Sequence, residues 1–74
     1  RAEEERHTGL EALLSPQLSR VARLAAQGSD VEAIVRRTGL TQATVRMYLQ
    51  RSYAKLGIRS RAELVAFVAE LERS

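Results

Sequence analysis

The chain has 74 residues, a net charge of +3 and no cysteine. This length fits a single small domain, and the lack of cysteine excludes disulfides and thiolate metal sites. The lone histidine, His7, excludes a histidine-rich metal site, and no apolar run approaches the roughly 18 residues of a membrane-spanning helix. We therefore expect a soluble cytoplasmic domain that holds no metal or other cofactor.

The N-terminal segment, residues 1–13, is interpreted as a flexible linker or a frayed helix end, and the structured domain is predicted over 14–74. Residues 1–9 are polar and acidic and show no apolar periodicity, and Glu3, Glu4 and Glu5 form a solvated run. The chain begins at Arg1 and not at a methionine, so we expect it to be a fragment, and we expect this segment to join it to an upstream regulatory domain.

Two amphipathic helices are predicted next. The first covers about 16–27, because Ser15 can cap it, Pro16 suits the first helical position and Gly28 ends it. Asp30 caps the second helix, and Gly39 supplies a tight turn after it. Apolar residues recur at spacings of three and four, which predicts one buried face for each helix. These residues are Leu18, Val21, Leu24 and Ala25 in the first helix and Val31, Ile34 and Val35 in the second.

A third helix is predicted over residues 42–56, with Thr41 as its cap and Gly57 as its end. Its inward positions are Val45, Leu49, Ser52 and Leu56, and its opposite face carries Arg46, Met47 and Gln50. Two helices joined by a glycine turn, the second with a basic and polar outer face, indicate a helix-turn-helix motif.

Positive charge is concentrated in residues 41–61, a segment without any acidic residue. A solvated helix face usually mixes both signs of charge, so a face with one sign favours a polyanionic partner through phosphate neutralisation. The basic residues are Arg46, Arg51, Lys55, Arg59 and Arg61.

The third helix is therefore predicted to lie in the major groove of double-stranded DNA, with its N-terminal half at the base edges. The candidate base contacts are Arg46, Met47 and Gln50, and the candidate phosphate contacts are Thr41, Gln42, Thr44, Tyr48, Arg51 and Lys55. Two alternatives stay open. Tyr48 either bonds a phosphate through its hydroxyl or covers the edge of the core, and Arg61 either meets the DNA backbone or pairs within the domain.

A fourth helix is predicted over residues 60–72. Ser60 and Glu63 match a capping box, in which each side chain accepts a hydrogen bond from the other residue's backbone N–H. One face is a core stripe of Leu64, Phe67, Val68 and Leu71. The second face consists of small apolar residues, Ala62, Val65, Ala66 and Ala69, and is interpreted as a dimer interface. The alternative is that these alanines only favour the helix.

From Leu14 to about residue 70 the sequence resembles the LuxR/GerE (NarL/FixJ-type) DNA-binding domain. The matching features are Leu14-Ser15-Pro16, Gly28, Thr44-Val45-Arg46, and Lys55-Leu56-Gly57-Ile58 followed by Ser60-Arg61. The resemblance implies an all-α, four-helix helix-turn-helix fold. It also implies a bacterial transcription regulator that binds DNA as a dimer through the fourth helix and reads bases at the positions of Arg46, Met47 and Gln50.

Three residues depart from the family pattern. Leu18 stands where family members usually carry an acid, which puts an internal ion pair in doubt. Glu32 replaces a family lysine that meets phosphate, and Tyr48 replaces a family histidine. We therefore expect the second helix to contribute little to DNA affinity, and intrinsic binding to be weak or dependent on oligomerisation.

The function favoured by the sequence is sequence-specific DNA binding by a homodimer that acts as the effector domain of a transcription regulator, with RNA polymerase as a further candidate partner. The alternative is a protein-interaction module of the same fold with weakened DNA binding. A sigma-factor promoter-reading domain fits less well, because of Lys55-Leu56-Gly57 and Ser60-Arg61. An enzyme is not expected, because the chain has no cysteine, no partner for His7 and no glycine-rich phosphate loop.

Overall fold

The structure, a computed structural model, describes residues 9–73. These residues contain helices and no strand. The helices are α1 (Pro16–Ala26), α2 (Val31–Thr38), α3 (Gln42–Leu56) and α4 (Arg61–Arg73), and residues 9–13 are helical as well. The all-α helix-turn-helix fold predicted from the sequence is confirmed, and the bounds predicted for the first, third and fourth helices agree to within one residue.

Side-chain caps and glycines set the ends of the first three helices. The oxygens of Ser15, Asp30 and Thr41 each accept the backbone N–H three residues further on, at 3.3, 2.8 and 3.1 Å. Gly39 and Gly57 end α2 and α3 at φ angles of 76° and 72°. A β-carbon is disfavoured in this left-handed region, so glycine lets the chain turn directly from α2 into α3.

The start of α4 differs in one detail from the predicted capping box. The Ser60 hydroxyl accepts the N–H of Glu63 at 3.2 Å, as expected. The Glu63 carboxylate, however, accepts the N–H of Arg59 at 2.7 Å instead of the N–H of Ser60. The direction in which the chain enters α4 decides which backbone N–H the Glu63 carboxylate meets. The spacing of Ser60 and Glu63 in the sequence does not determine that direction.

Helix α1 is the centre of the domain and packs against α2, α3 and α4. Each helix contributes its apolar face to one core, and full burial of each large side chain contributes about 1.5–3 kcal/mol. Leu18, a departure from the pattern of the resemblance, is among these core residues and is only 6% exposed. The buried apolar residues of the four helices are Leu18, Val21, Ala22, Ala25, Ile34, Val45, Leu49, Leu64 and Val68.

The core extends further towards the N-terminus than predicted. Leu10 is 2% exposed and Leu14 is buried in the same cluster, so the core includes a helical turn within the segment interpreted as a linker or a frayed helix end. Leu10, Leu13 and Leu14 lie within five residues, which is too short a stretch to establish a helical period, so the sequence did not reveal this turn. The part of the predicted linker before residue 9 lies outside the described residues.

An ion-pair network holds this N-terminal turn against the rest of the domain. The Arg23 guanidinium in α1 lies 3.2 Å from the carboxylate of Glu11 and 3.9 Å from that of Glu72 in α4. These groups are partly exposed, so each pair contributes at most about 1 kcal/mol. The burial of Leu10 and Leu14 is the larger contribution.

Candidate nucleic-acid interface

Helix α3 presents one exposed face opposite the core. Val45, Leu49 and Ser52 are buried, and the Ser52 hydroxyl donates to the backbone oxygen of Tyr48 at 2.8 Å. The three residues predicted to contact bases, Arg46, Met47 and Gln50, are all exposed on the other side. Arg46 and Gln50 lie one helical turn apart, about 6 Å along the axis, so adjacent base pairs are within reach of both.

The basic side chains of α3 are exposed. Arg46, Arg51 and Lys55 are exposed and make no side-chain hydrogen bond or ion pair within the part of the chain that the structure describes. Four other arginines are engaged with carboxylates or backbone oxygens, namely Arg20, Arg23, Arg61 and Arg73. Unpaired cations on one helix leave a concentrated positive field, which is what attracts a polyanion.

The first turn of α3 offers hydrogen-bond donors to an anion. The Thr41 hydroxyl accepts the N–H of Thr44 and donates its proton to the Thr44 hydroxyl at 2.9 Å. One proton of this hydroxyl pair lies between the two oxygens, and the other is left for a phosphate. Gln42 is exposed at the first helical position, and this turn contains no acidic residue to repel an anion.

Of the two alternatives left open for Tyr48, the structure supports the one in which it covers the edge of the core. Its ring is half-buried and packs against the core, whereas its hydroxyl donates to Oε1 of Gln17 in α1 at 3.2 Å. Gln17 was not identified from the sequence as a site residue. It is an exposed residue in the first turn of α1, and only tertiary packing brings it to α3.

Arg61 pairs within the domain. Its Nη1 atom donates to the backbone oxygens of Ala25, at 3.2 Å, and of Ser29. These bonds tie the start of α4 to the end of α1 and to the loop before α2. Of the two alternatives for Arg61, the structure therefore supports the intramolecular one, while Arg59 stays exposed.

The second face of α4 is open in the single chain. Ala62, Val65, Ala66 and Ala69 are all exposed, and Val65 is 44% exposed although it is a large apolar residue. Leu64 and Val68 occupy the opposite, buried face of the helix. The geometry thus matches the predicted division of α4 into a core face and an outer apolar face.

The start of α2 carries a negative charge. Glu32 lies in the first turn of the helix and is exposed. At the other end of α2 the charge is positive, with Arg36 and Arg37 in the last turn, and Arg20 of α1 donates to the backbone oxygen of Arg37 at 3.0 Å. Any phosphate near the start of α2 meets an acid and not a base.

Other kinds of site find no support in the described residues. Among residues 9–73, no three or more histidine, cysteine, aspartate or glutamate side chains are grouped to hold a metal ion. None of the helices described here is both long and apolar enough to span a bilayer.

Comparison with known proteins agrees with this geometry. The family model GerE, described as bacterial regulatory proteins of the luxR family, matches residues 12–68. Searches of curated proteins and of solved structures gave no match. The matched span contains α1, α2, α3 and more than half of α4, and therefore the whole helix-turn-helix. The chain belongs to the luxR family of bacterial regulatory proteins, and its fold is the helix-turn-helix DNA-binding domain of transcription regulators in that family.

Proposed function

We propose that this domain binds double-stranded DNA sequence-specifically, as the effector domain of a bacterial transcription regulator under the control of an upstream regulatory domain. The observation that carries the proposal is the outer face of α3. It exposes Arg46, Gln50, Arg51 and Lys55, whose side chains have no partner among residues 9–73, on a helix whose inner face is fixed in the core. A helix of about 10–12 Å diameter fits the major groove, which is about 12 Å wide.

Base recognition is assigned to three residues in the N-terminal half of α3. The guanidinium of Arg46 can donate two hydrogen bonds to O6 and N7 of guanine, and the amide of Gln50 can pair with N6 and N7 of adenine. Met47, which is 42% exposed, offers an apolar contact to a thymine methyl group. Each bidentate pair contributes about 1–3 kcal/mol of discrimination against the wrong base.

Phosphate contact is assigned to the polar side chains that flank these three. Arg51 and Lys55 lie one turn apart on α3 and neutralise phosphates, while Gln42 and Thr44 donate hydrogen bonds at the N-terminus of the helix. Thr41 caps the helix, and its hydroxyl is also bonded to that of Thr44, so the pair offers one hydroxyl proton to a phosphate. These contacts set affinity and orientation without reading sequence.

A second copy of the chain is the proposed protein partner. The outer face of α4, formed by Ala62, Val65, Ala66 and Ala69, is small and apolar, so two such helices can approach closely. A two-fold dimer places two recognition helices on half-sites about 34 Å apart along the duplex. RNA polymerase remains a further candidate partner.

Fluorescence anisotropy with a labelled random duplex, followed by selection of a preferred site, tests the proposal. We expect log affinity to fall linearly with log salt concentration. Arg46→Ala should lose more affinity for the selected site than for random DNA. Lys55→Ala should weaken both equally and reduce the salt slope by about 0.9. Arg73→Ala, which removes an exposed cation from the far end of α4, is the matched control and should change neither. Equal losses on both duplexes for Arg46→Ala would contradict its role as a base reader.

A protein-interaction module of the same fold is the second candidate function. Glu32 favours it, because an exposed acid at the start of α2 repels the DNA backbone. Under this alternative a folded sample shows no binding to any duplex at low salt. The outer face of α4 is then the surface that binds the partner protein.

A further inference from the structure

The hydroxyl of Tyr48 is committed to a partner outside α3. It lies 3.2 Å from Oε1 of Gln17, which links the recognition helix to the first turn of α1. Tyr48 lies on one line of α3 with Thr44, Arg51 and Lys55, at helical spacings of four, three and four residues. Gln17 therefore adjoins the edge of α3 to which the phosphate contacts are assigned, although it belongs to another helix.

The number of hydrogen-bonding protons on Tyr48 and on Gln17 determines which of the two can donate to a phosphate. A tyrosine hydroxyl has one proton, and Tyr48 donates it to Gln17. An ionised phosphate diester only accepts hydrogen bonds, so Tyr48 cannot donate to it while the bond to Gln17 holds. The Gln17 amide has two N–H groups on Nε2, and its side chain has no partner other than Tyr48 among the described residues. Because Oε1 is bound to Tyr48, the orientation of the amide is set and Nε2 is its free end.

We propose that Gln17 donates from Nε2 to a DNA phosphate beside α3, and that Tyr48 is a positioning residue that holds the Gln17 amide. This inference rests on the proposed DNA-binding function. The surroundings suit the role, since Gln17 is exposed and the first turn of α1 contains no acid. Arg51 and Lys55, unpaired on the same edge of α3, draw the backbone towards this position. Helix α1 thereby supplies a phosphate contact to a domain whose second helix carries Glu32.

Substitutions of Gln17 test the assignment in the 74-residue chain by anisotropy on both a selected site and random DNA. Loss of a hydrogen bond to a charged group predicts that Gln17→Ala weakens binding about tenfold on both duplexes. The salt slope should stay unchanged, because a neutral donor releases no counterion. Gln17→Glu keeps an acceptor for Tyr48 but replaces both N–H donors with a negative charge, and should weaken binding more than Gln17→Ala.

Adding a positive charge at position 17 tests the phosphate contact through a gain of affinity instead of a loss. Gln17→Arg should tighten binding at low salt and steepen the slope by about 0.9, because it adds one phosphate neutralisation. Gln27→Arg is the matched control: it adds the same charge at the opposite end of α1, about 15 Å away, and should leave the slope unchanged. Equal slopes for the two arginine variants would overturn the placement of Gln17 beside a phosphate.

Tyr48→Phe separates positioning from direct contact. If Tyr48 acts through Gln17, this change weakens binding in the unaltered chain but has no further effect in the Gln17→Ala background. An equal loss in both backgrounds, or unaltered affinity of Gln17→Ala, overturns the inference while the proposed function stands. If the unaltered, folded chain binds no DNA at low salt, the proposed function itself fails and this inference with it.

Discussion

Replacing Leu10 with alanine tests whether the folded domain begins before Leu14. Leu10 is 2% exposed and packs in the core. The substitution removes roughly three buried carbon groups, a transfer loss of about 2.4 kcal/mol at about 0.8 kcal/mol each, and incomplete collapse of the cavity raises the expected cost to about 2–4 kcal/mol. A domain of 74 residues has a stability of about 4–11 kcal/mol, so the variant should lose a large fraction of it.

Leu13→Ala is the matched control, because Leu13 lies in the same helical turn but is 49% exposed. Its cost should stay below about 1 kcal/mol. Urea denaturation followed by circular dichroism at 222 nm measures the free energy of unfolding of both variants. With an m-value of about 1 kcal/mol/M for a small domain, the midpoint for Leu10→Ala should fall by about 2–4 M. Equal midpoints for the two variants would show that residues 9–13 are a linker and that the core begins at Leu14.

Three further predictions concern the rest of the domain. Arg61→Ala should destabilise the fold by about 1.5–3 kcal/mol, because it removes a cation that bonds two backbone oxygens. Arg59→Ala, the control, should cost less than about 0.5 kcal/mol. Equal shifts of the melting temperature for the two variants would contradict the role of Arg61 in holding α4 to the end of α1. Gly39→Ala should destabilise the fold by more than about 1 kcal/mol, because the φ angle of +76° is strained for alanine. A clash does not contribute, since a β-carbon at this position meets no atom within 4 Å. An unchanged melting temperature would exclude that strain. Glu32→Lys should strengthen DNA binding and steepen the salt slope by about 0.9, and an unchanged slope would place the start of α2 away from the backbone.

Local patterns were sufficient for the elements of the fold. The caps at Ser15, Asp30 and Thr41 and the turn glycines at Gly39 and Gly57 act within a few residues, so they can be read along the chain. The apolar spacing of α3 likewise separated its buried face from the face that carries the candidate DNA contacts. These features depend on backbone geometry and side-chain chemistry that are the same in any protein.

Only the tertiary structure decided the contacts between residues that are far apart in the sequence. Leu10 is a core residue because the folded helices bury it, and nothing in its own segment distinguishes it from exposed Leu13. Arg61 bonds the end of α1, and Gln17 meets Tyr48, across separations of 36 and 31 residues. A sequence determines which groups can donate, accept or be buried. Which of them meet depends on how the helices pack. That arrangement decides whether a cation such as Arg61 supports the fold or, like Lys55, stays exposed and has no partner among the described residues.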